Sequence, residues 1–271
     1  MQVSVVIITK NEATNIVDCI VSAKKISNDI IVIDSESTDA TILLAKTEKA
    51  KVQSISWEGY GHSRNAGAMI AVNDWIFSLD ADERITDKLV ASMENIDFSG
   101  KDAIYGFKRL NYFGDKKISY RSFAHDRVFR LYNRNNYKWD IAPIHEKLTG
   151  ENPVGVMIRG GVIHYAIRTA SLYQQKISGY AALCALKYKQ EKKGFVYVRS
   201  LLSPVFNFVQ DYIFQLGFLD RYTGFIIAKI NARHTKKKYQ QLLVLLKEEN
   251  NQNSRQLFLQ HSIRKIVLFF S

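Results

Sequence analysis

Three polar clusters, each directly behind an apolar run, hold most of the side chains in this 271-residue chain that could do chemistry. Thr9-Lys10-Asn11-Glu12 follows one run, Asp34-Ser35-Glu36-Ser37 a second, and Asp80-Ala81-Asp82-Glu83 a third. Asp80 and Asp82 stand two apart, so in extended backbone they project to the same side. Two hard carboxylate ligands placed so can meet one Mg²⁺ or Mn²⁺ that also holds two phosphate oxygens. Such an ion stabilises a nucleoside diphosphate as a leaving group. Alone, Asp-x-Asp is common by chance and reads more readily as a solvated turn. Its position behind the apolar run WIFSL, beside two other polar strand ends, favours the metal. No GxGxxG and no GxxxxGK[ST] occurs, so a dinucleotide fingerprint and a P-loop are both excluded. Phosphate charge has to be met another way, and a carboxylate-held metal supplies it.

The elements that must position these clusters alternate between β-branched runs and helical periodicity. Strands are expected at Val3–Thr9, Asp29–Asp34, Val52–Ile55 and Trp75–Leu79. Helices are expected at Ala13–Lys24, with Ile16, Ile20 and Ala23 inward, and from a Ser37-Thr38-Asp39 cap to about Lys49, with Ile42, Leu43 and Ala45 inward. A third is expected over Arg64–Val72. This βαβαβαβ order implies a mainly parallel sheet with helices on both faces. In such a sheet ligands bind beyond the carboxyl ends of the strands, where the three clusters fall. From about Asp102 the pattern changes to strands at Ala103–Leu110, Asp126–Tyr132 and Val156–Tyr165, a mixed extension, and from about Thr169 to helices. A catalytic domain over 1–168 and a basic, aromatic-rich helical region over 169–271 follow.

SVVIITKNE (4–12), IIVIDSESTDAT (30–41), GHSRNAG (61–67) and WIFSLDADE (75–83) together resemble the family 2 glycosyltransferases with the GT-A fold. Within that family they are most similar to bacterial lipopolysaccharide-core enzymes that add a hexose to inner-core heptose. The motifs cover about residues 3–165. The resemblance implies that Thr9, Asn11 and Glu12 line the base and ribose pocket, that Asp34 binds base or ribose, and that Arg64 approaches base or diphosphate. It also implies that Asp80 contacts ribose and metal and that Asp82 is the main metal ligand. Many members carry a second acidic residue after the strand-two aspartate, where Ser35 stands here; this bears on the choice of base. The competing structural readings are a surface ion pair for Arg64 and a turn or cap carboxylate for Asp34.

An inverting transfer needs a carboxylate to take the acceptor proton. The candidates lie in Trp139–Glu146. The IHEKL segment resembles the "HE" segment of the lipopolysaccharide subgroup, which points to Glu146 as base with Asp140 in reserve. Structurally, Glu146 would instead pair with Arg127 or Arg130, and His145 would orient it or pack. His164, at the end of another apolar run, is a third metal ligand by resemblance or else a core histidine. His145, Glu146 and His164 lack zinc-site spacing, so a zinc hydrolase is not expected. The only cysteines, Cys19 and Cys184, are far apart and read as small apolar residues rather than a disulfide or metal pair.

Charge divides the chain. Residues 1–150 hold 20 Lys+Arg and 20 Asp+Glu; residues 151–271 hold 18 and 6, and so carry the whole net charge of +12. The second half is therefore expected to meet something anionic. Leu201–Leu219 is nearly span length but is broken by Pro204, Asn207, Gln210, Gln215 and Gly217 and holds Asp211. That residue would cost on the order of 3 kcal/mol at a bilayer centre. With the basic cluster Arg233–Lys238 nearby, the segment reads as helices lying in the interface of an anionic membrane. A helical subdomain packed on the core is the alternative. No secretory signal is recognisable at Met1. The expected protein is thus a cytoplasmic enzyme, peripheral on the inner face of the cytoplasmic membrane. It moves a hexose, from UDP-glucose or a similar nucleotide-sugar, to a lipid-linked saccharide acceptor of lipopolysaccharide core or a related glycan. A polyprenyl-phosphate sugar synthase is the enzymatic alternative. A nucleic-acid-binding module is the alternative of another class, and nucleic acid is not expected as a partner, because the neutral half carries so organised a carboxylate set.

Overall fold

The computed structural model describes residues 2–100, 102–120, 126–141, 146–151, 153–191 and 194–269. The chain divides into two units, Met1–Ala166 and Ile167–Ser271.

In the first unit the elements run β1 (Val3–Thr9), α1 (Ile16–Ala23), β2 (Asp29–Asp34), α2 (Thr41–Thr47), β3 (Lys51–Ser54), α3 (Tyr60–Ile70), β4 (Trp75–Asp80), β5 (Glu83–Ile85) and α4 (Asp87–Met93). Then come β6 (Ala103–Phe113), β7 (Lys116–Lys117), β8 (Arg127–Asn133), β9 (Tyr137–Trp139), β10 (Leu148–Gly150) and β11 (Val154–Ile167). The main sheet has the order β3-β2-β1-β4-β8-β6-β11-β5, with β7 on β6; β9 and β10 form a separate pair. β1 to β4 are parallel, while β8 joins β4, and β5 joins β11, antiparallel. This is the expected mixed GT-A sheet. Strand order reverses at β1, which lies between β2 and β4, so the ligand crevice belongs at their carboxyl ends.

Period-2 alternation sends β1 side chains to two cores. Val3, Val5 and Ile7 join α1, Ala45 of α2 and Leu89 and Met93 of α4 on one face. Val6 and Ile8 join Ala68 of α3 and Tyr137 and Trp139 of β9 on the other. Such a two-sided core explains why β1 and β2 are continuous apolar runs. Leu43 was expected inward but is 68% exposed. At 100° per residue it lies opposite Ala45, and Thr41 and Ala45 form the buried face instead. α3 begins four residues before Arg64, so that arginine is mid-helix. Gly67 explains how closely α3 approaches the sheet: a Cβ there would stand 2.3 Å from Val6 Cγ1. Cys19 is buried and Cys184 only half-buried; both are free thiols.

The second unit contains α5 (Ala170–Gln190), α6 (Val196–Val209), a π-helical turn over Gln210–Phe214, a 3₁₀ turn over Gly217–Asp220 and α7 (Arg221–Phe269). Pro204 was expected to break the apolar segment but sits inside α6, and the break comes at the π turn. Ala185, Val196, Tyr239 and Leu242 form this unit's own core. Among the described residues no helix is long and apolar enough to cross a membrane.

Candidate active site

The β1 and β2 ends are laced together by side chain to backbone bonds. Asn11 and Glu36 both have left-handed backbone, with φ of 53° and 59°. An asparagine tolerates this readily, while a glutamate does so at a cost of about 1–2 kcal/mol. The Asn11 backbone N–H donates to Ser37 Oγ at 2.8 Å, and Asn11 Oδ1 accepts from the Thr38 N–H at 2.8 Å. Glu12 N–H donates to Thr41 Oγ1 at 2.8 Å, and its carboxylate accepts from the Asn15 side chain. Asp34 is buried and accepts from the Ser37 N–H at 2.8 Å and from its hydroxyl; this is turn-capping geometry. Thr9 is different: its Oγ1 is buried with no hydrogen-bond partner among the described residues. Buried hydroxyls are normally satisfied, so this one is open to a water or a ligand group at the strand end.

β4 ends in an arginine-clamped carboxylate. Asp80 Oδ1 accepts from Arg64 Nη2 at 2.6 Å and from Arg130 Nη1 at 3.3 Å, and Asp80 Oδ2 accepts from Arg130 Nη2 at 3.2 Å. Arg64 also donates to Ser78 Oγ at 2.6 Å. Both guanidiniums lie over the Trp139 ring, at 5.1 and 5.7 Å from its centroid. The ring is held in turn: Asn65 Nδ2 donates to Trp139 O at 2.8 Å, and the Trp139 N–H donates to Asn65 Oδ1 at 2.9 Å. Arg64 is 1% exposed, so it is not a surface ion pair. Burial works against ionising Asp80, but Arg130 and then Arg64 hold its carboxyl well below the ordinary range. Burial opposes charge on Arg130 as well, and Asp80 and Glu83 reverse that and raise its pKa. Glu83 is pushed up, first by burial and then by Asp80. Its Oε2 accepts the Asp80 N–H at 2.9 Å, and its Oε1 stands 3.7 Å from Arg109.

Glu146 is drawn to the same cluster, with its Oε1 3.4 Å from Arg64 Nε and its side chain 13% exposed. Among the described residues its ion-pair contact is with Arg64, and its charge also acts on Arg130, one of the two partners the sequence suggested. Asp140 Oδ1 accepts from the Lys147 N–H at 3.2 Å, a bond within its own loop. His145 lies outside the described residues.

Asp82 and His164 form a second pair. The register of β5 against β11 sets His164 opposite Glu83, and its Nε2 is 3.4 Å from Asp82 Oδ2. His164 Nδ1 and Asn111 Oδ1 are 2.6 Å apart, while Asn111 Nδ2 donates to Asp126 Oδ2 at 3.1 Å. A carboxylate only accepts, so Asp126 sets the Asn111 amide orientation. That amide oxygen then requires the proton on His164 Nδ1 and leaves Nε2 facing Asp82. Metal-ligating histidines are commonly oriented this way, by a protein acceptor that takes the proton of the ring nitrogen not used for the ion. Burial works against protonating His164, but the Asp82 hydrogen bond and charge outweigh it and raise its pKa. Asp80, Asp82 and His164 were expected to share one metal. Asp80 instead has both oxygens on guanidiniums, and among the described residues no three His, Cys, Asp or Glu side chains are grouped to hold an ion. Asp82 and His164 have the right donor chemistry for two ligands of a divalent ion that takes its remaining oxygens from phosphate or water.

Of the expected site residues, the fold brings Arg64, Asp80 and Glu146 into one cluster, Asp82 and His164 into a second, and Asn11, Glu12 and Asp34 into the loop network. Sequence reasoning missed Asn65, Asn111 and Trp139, and it gave Arg130 no role in holding Asp80. Only Asn65 carried a signal, from its place inside GHSRNAG.

Residues 4–178 match the family described as "Glycosyl transferase family 2". An uncharacterized glycosyltransferase of Rickettsia typhi is 29% identical over 244 residues, which is 85% of this chain and 83% of that protein. The lipopolysaccharide core biosynthesis glycosyltransferase LpsC of Rhizobium meliloti is 24% identical over 257 residues, 88% of this chain and 94% of that one. Among solved structures, glucosyl-3-phosphoglycerate synthase from Mycobacterium tuberculosis overlaps at 22% identity, covering 41% of this chain and 44% of that one with a TM-score of 0.33. That overlap is too partial to assign anything by itself. With its GT-A sheet, its Asp-Ala-Asp behind β4 and a family match over most of its length, the chain belongs to glycosyl transferase family 2 and is a glycosyltransferase.

Proposed function

We propose that this enzyme transfers a hexose from a nucleotide-sugar, UDP-glucose or a close analogue, to a saccharide acceptor of lipopolysaccharide core or a related envelope glycan, with inversion. The observation that carries the reading is the convergence of Glu146 on the Arg64–Asp80 cluster, from a loop more than sixty residues downstream, at the carboxyl edge of the sheet. The likeness to LpsC supports the acceptor class.

Thr9, Asn11, Glu12 and Asp34 line the base and ribose pocket, where the unpartnered Thr9 hydroxyl has a ligand group to bond. Arg64 holds Asp80 in place toward the ribose and adds positive charge near the diphosphate. Asp82 and His164 would hold a Mg²⁺ or Mn²⁺ ion, as the donor chemistry of that pair allows. When bound, that ion neutralises charge on the leaving group. Glu146 accepts the proton of the attacking acceptor hydroxyl, and its hydrogen bond to Arg64 orients it. The acceptor is lipid-linked, so the enzyme works at the anionic inner face of the cytoplasmic membrane, with residues 169–271 as the region that meets it.

The test is nucleotide release by purified protein with UDP-, GDP- and dTDP-sugars, Mg²⁺ or Mn²⁺, and core-lipid acceptors. Glu146→Gln is expected to lower kcat by a factor of about 10² to 10⁴, the usual worth of a general base, with nucleotide affinity unchanged. Full activity in that variant would remove Glu146 as base and favour a phosphate acceptor, which needs none. Full activity in Asp82→Ala, or indifference to metal, would refute the metal site.

A further inference from the structure

α6 is built the wrong way round for a helix in water. At its C-terminal end the polar side chain turns inward, where Asn207 Nδ2 donates to Thr235 Oγ1 of α7 at 2.6 Å, while the charged Arg199 is exposed near its start. In the turn that follows, Asp211 Oδ2 accepts from Asn231 Nδ2 at 2.8 Å, and Asn231 Oδ1 accepts from the Tyr173 hydroxyl at 3.0 Å. The opposite stripe, at helical spacing, is apolar and open. Leu201, Leu202, Val205 and Phe206 are each about 60% exposed, and Phe214 just beyond is 75% exposed. A water-facing helix shows the reverse pattern, and an apolar patch this contiguous marks an interaction site.

The charge around the patch identifies what covers it. From Tyr222 the exposed stripe of α7 starts aromatic and turns basic through Lys229, Arg233 and Lys236. No Asp or Glu occurs between Arg221 and Lys247. A second copy would bring two such basic surfaces together, which like-charge repulsion opposes. A surface that is apolar within and anionic at its rim matches both parts, and an anionic bilayer interface has that form. Asp211, the residue that argued against insertion of this segment, is held on the inner side by Asn231.

We infer that the Leu201–Phe206 stripe with Phe214 inserts shallowly into the headgroup boundary of an anionic membrane, while Lys229, Arg233 and Lys236 contact lipid phosphate. This rests on the reading that the enzyme works at a membrane, and it adds the face and the depth. α6 lies along the interface without crossing it.

The test uses the full chain and sedimentation with vesicles of phosphatidylglycerol and phosphatidylethanolamine or of phosphatidylcholine alone. Wild type is expected to bind the anionic vesicles and to lose binding at high salt. Leu202→Glu with Phe206→Glu should weaken binding by about a hundredfold or more, since two large apolar side chains no longer leave water. Thermal midpoints of both proteins should agree, because these side chains are exposed. Phe206→Trp should show blue-shifted emission, quenched by brominated lipid, on anionic vesicles only. Equal binding of wild type and the double glutamate variant, unshifted emission from the Phe206→Trp protein, or wild-type self-association that the glutamates abolish without vesicle binding would each overturn the inference. Nucleotide binding by the glutamate variant, measured by calorimetry with UDP, should be unchanged, so failure at the membrane stays distinguishable from failure of the sugar-transfer reading.

Discussion

Arg130→Met tests whether the clamp on Asp80 is a buried ionic cluster that the fold depends on. The substitution keeps the apolar stem and removes the guanidinium that spans both Asp80 oxygens at 3.2 and 3.3 Å. Removing one partner of a buried pair costs about 3–5 kcal/mol. Here Asp80 keeps Arg64 at 2.6 Å and its side chain is 24% exposed, so water and the second arginine recover part of the loss. The expected destabilisation is about 2–3 kcal/mol, and an exposed pair would give under about 1 kcal/mol. For a unit of this size that lowers Tm by about 4–12 °C. Circular dichroism melts and urea titrations at neutral pH measure it.

The pH dependence of the same variant supplies a second sign. The folded pKa of Asp80 lies well below its ordinary 3.8. Its stabilisation is therefore complete above the unfolded value and is lost as pH falls through the folded one. Glu83 is shifted the other way, above 4.5, so its contribution is complete below 4.5 and is lost as pH rises through its folded value. Without Arg130 the Glu83 carboxyl moves further up, and both effects enlarge the wild-type advantage near neutrality. The gap should therefore shrink as pH falls, first as Glu83 takes up its proton above 4.5 and then further into acid as Asp80 does. A difference under about 1 kcal/mol at neutral pH, or one that stays constant into strong acid, would refute the clamp.

The remaining predictions follow from the other contacts. Asn111→Leu should weaken Mn²⁺ affinity, measured by electron paramagnetic resonance with UDP present, by about 10- to 100-fold, because His164 loses the partner that fixes its tautomer; unchanged affinity would remove His164 as ligand or Asn111 as its support. Asp82→Asn should weaken the same Mn²⁺ signal more than Asp80→Asn does, since Asp80 is occupied by arginines; the reverse order would put Asp80 in the metal site. Gly67→Ala should destabilise the first unit by about 1–3 kcal/mol in urea titrations, because its Cβ would enter Val6 at 2.3 Å.

The parallel half of the sheet was legible because β1, β2 and β4 are buried on both faces and so appear as unbroken apolar runs ending in polar clusters. The Asp-Ala-Asp motif and the family resemblance were local for the same reason: few residues, fixed spacing, one strand end. α2 was misread where adjacent apolar residues left its inward face ambiguous, and Leu43 turned out exposed. Tertiary structure alone decided how the charges are shared. Spacing leaves Asp80 and Asp82 equivalent and only the family resemblance ranked Asp82 first for the metal; β8 and α3 bring two arginines to the first, and the β5–β11 register brings a histidine to the second. The same holds in the second half, where composition announced an apolar, basic tail but only the packing of Asn207 and Asp211 against α7 determined which face is left open. Short-range patterns are written in spacing along the chain. Which ion meets which depends on strand pairing between residues tens of positions apart, and no local pattern encodes it.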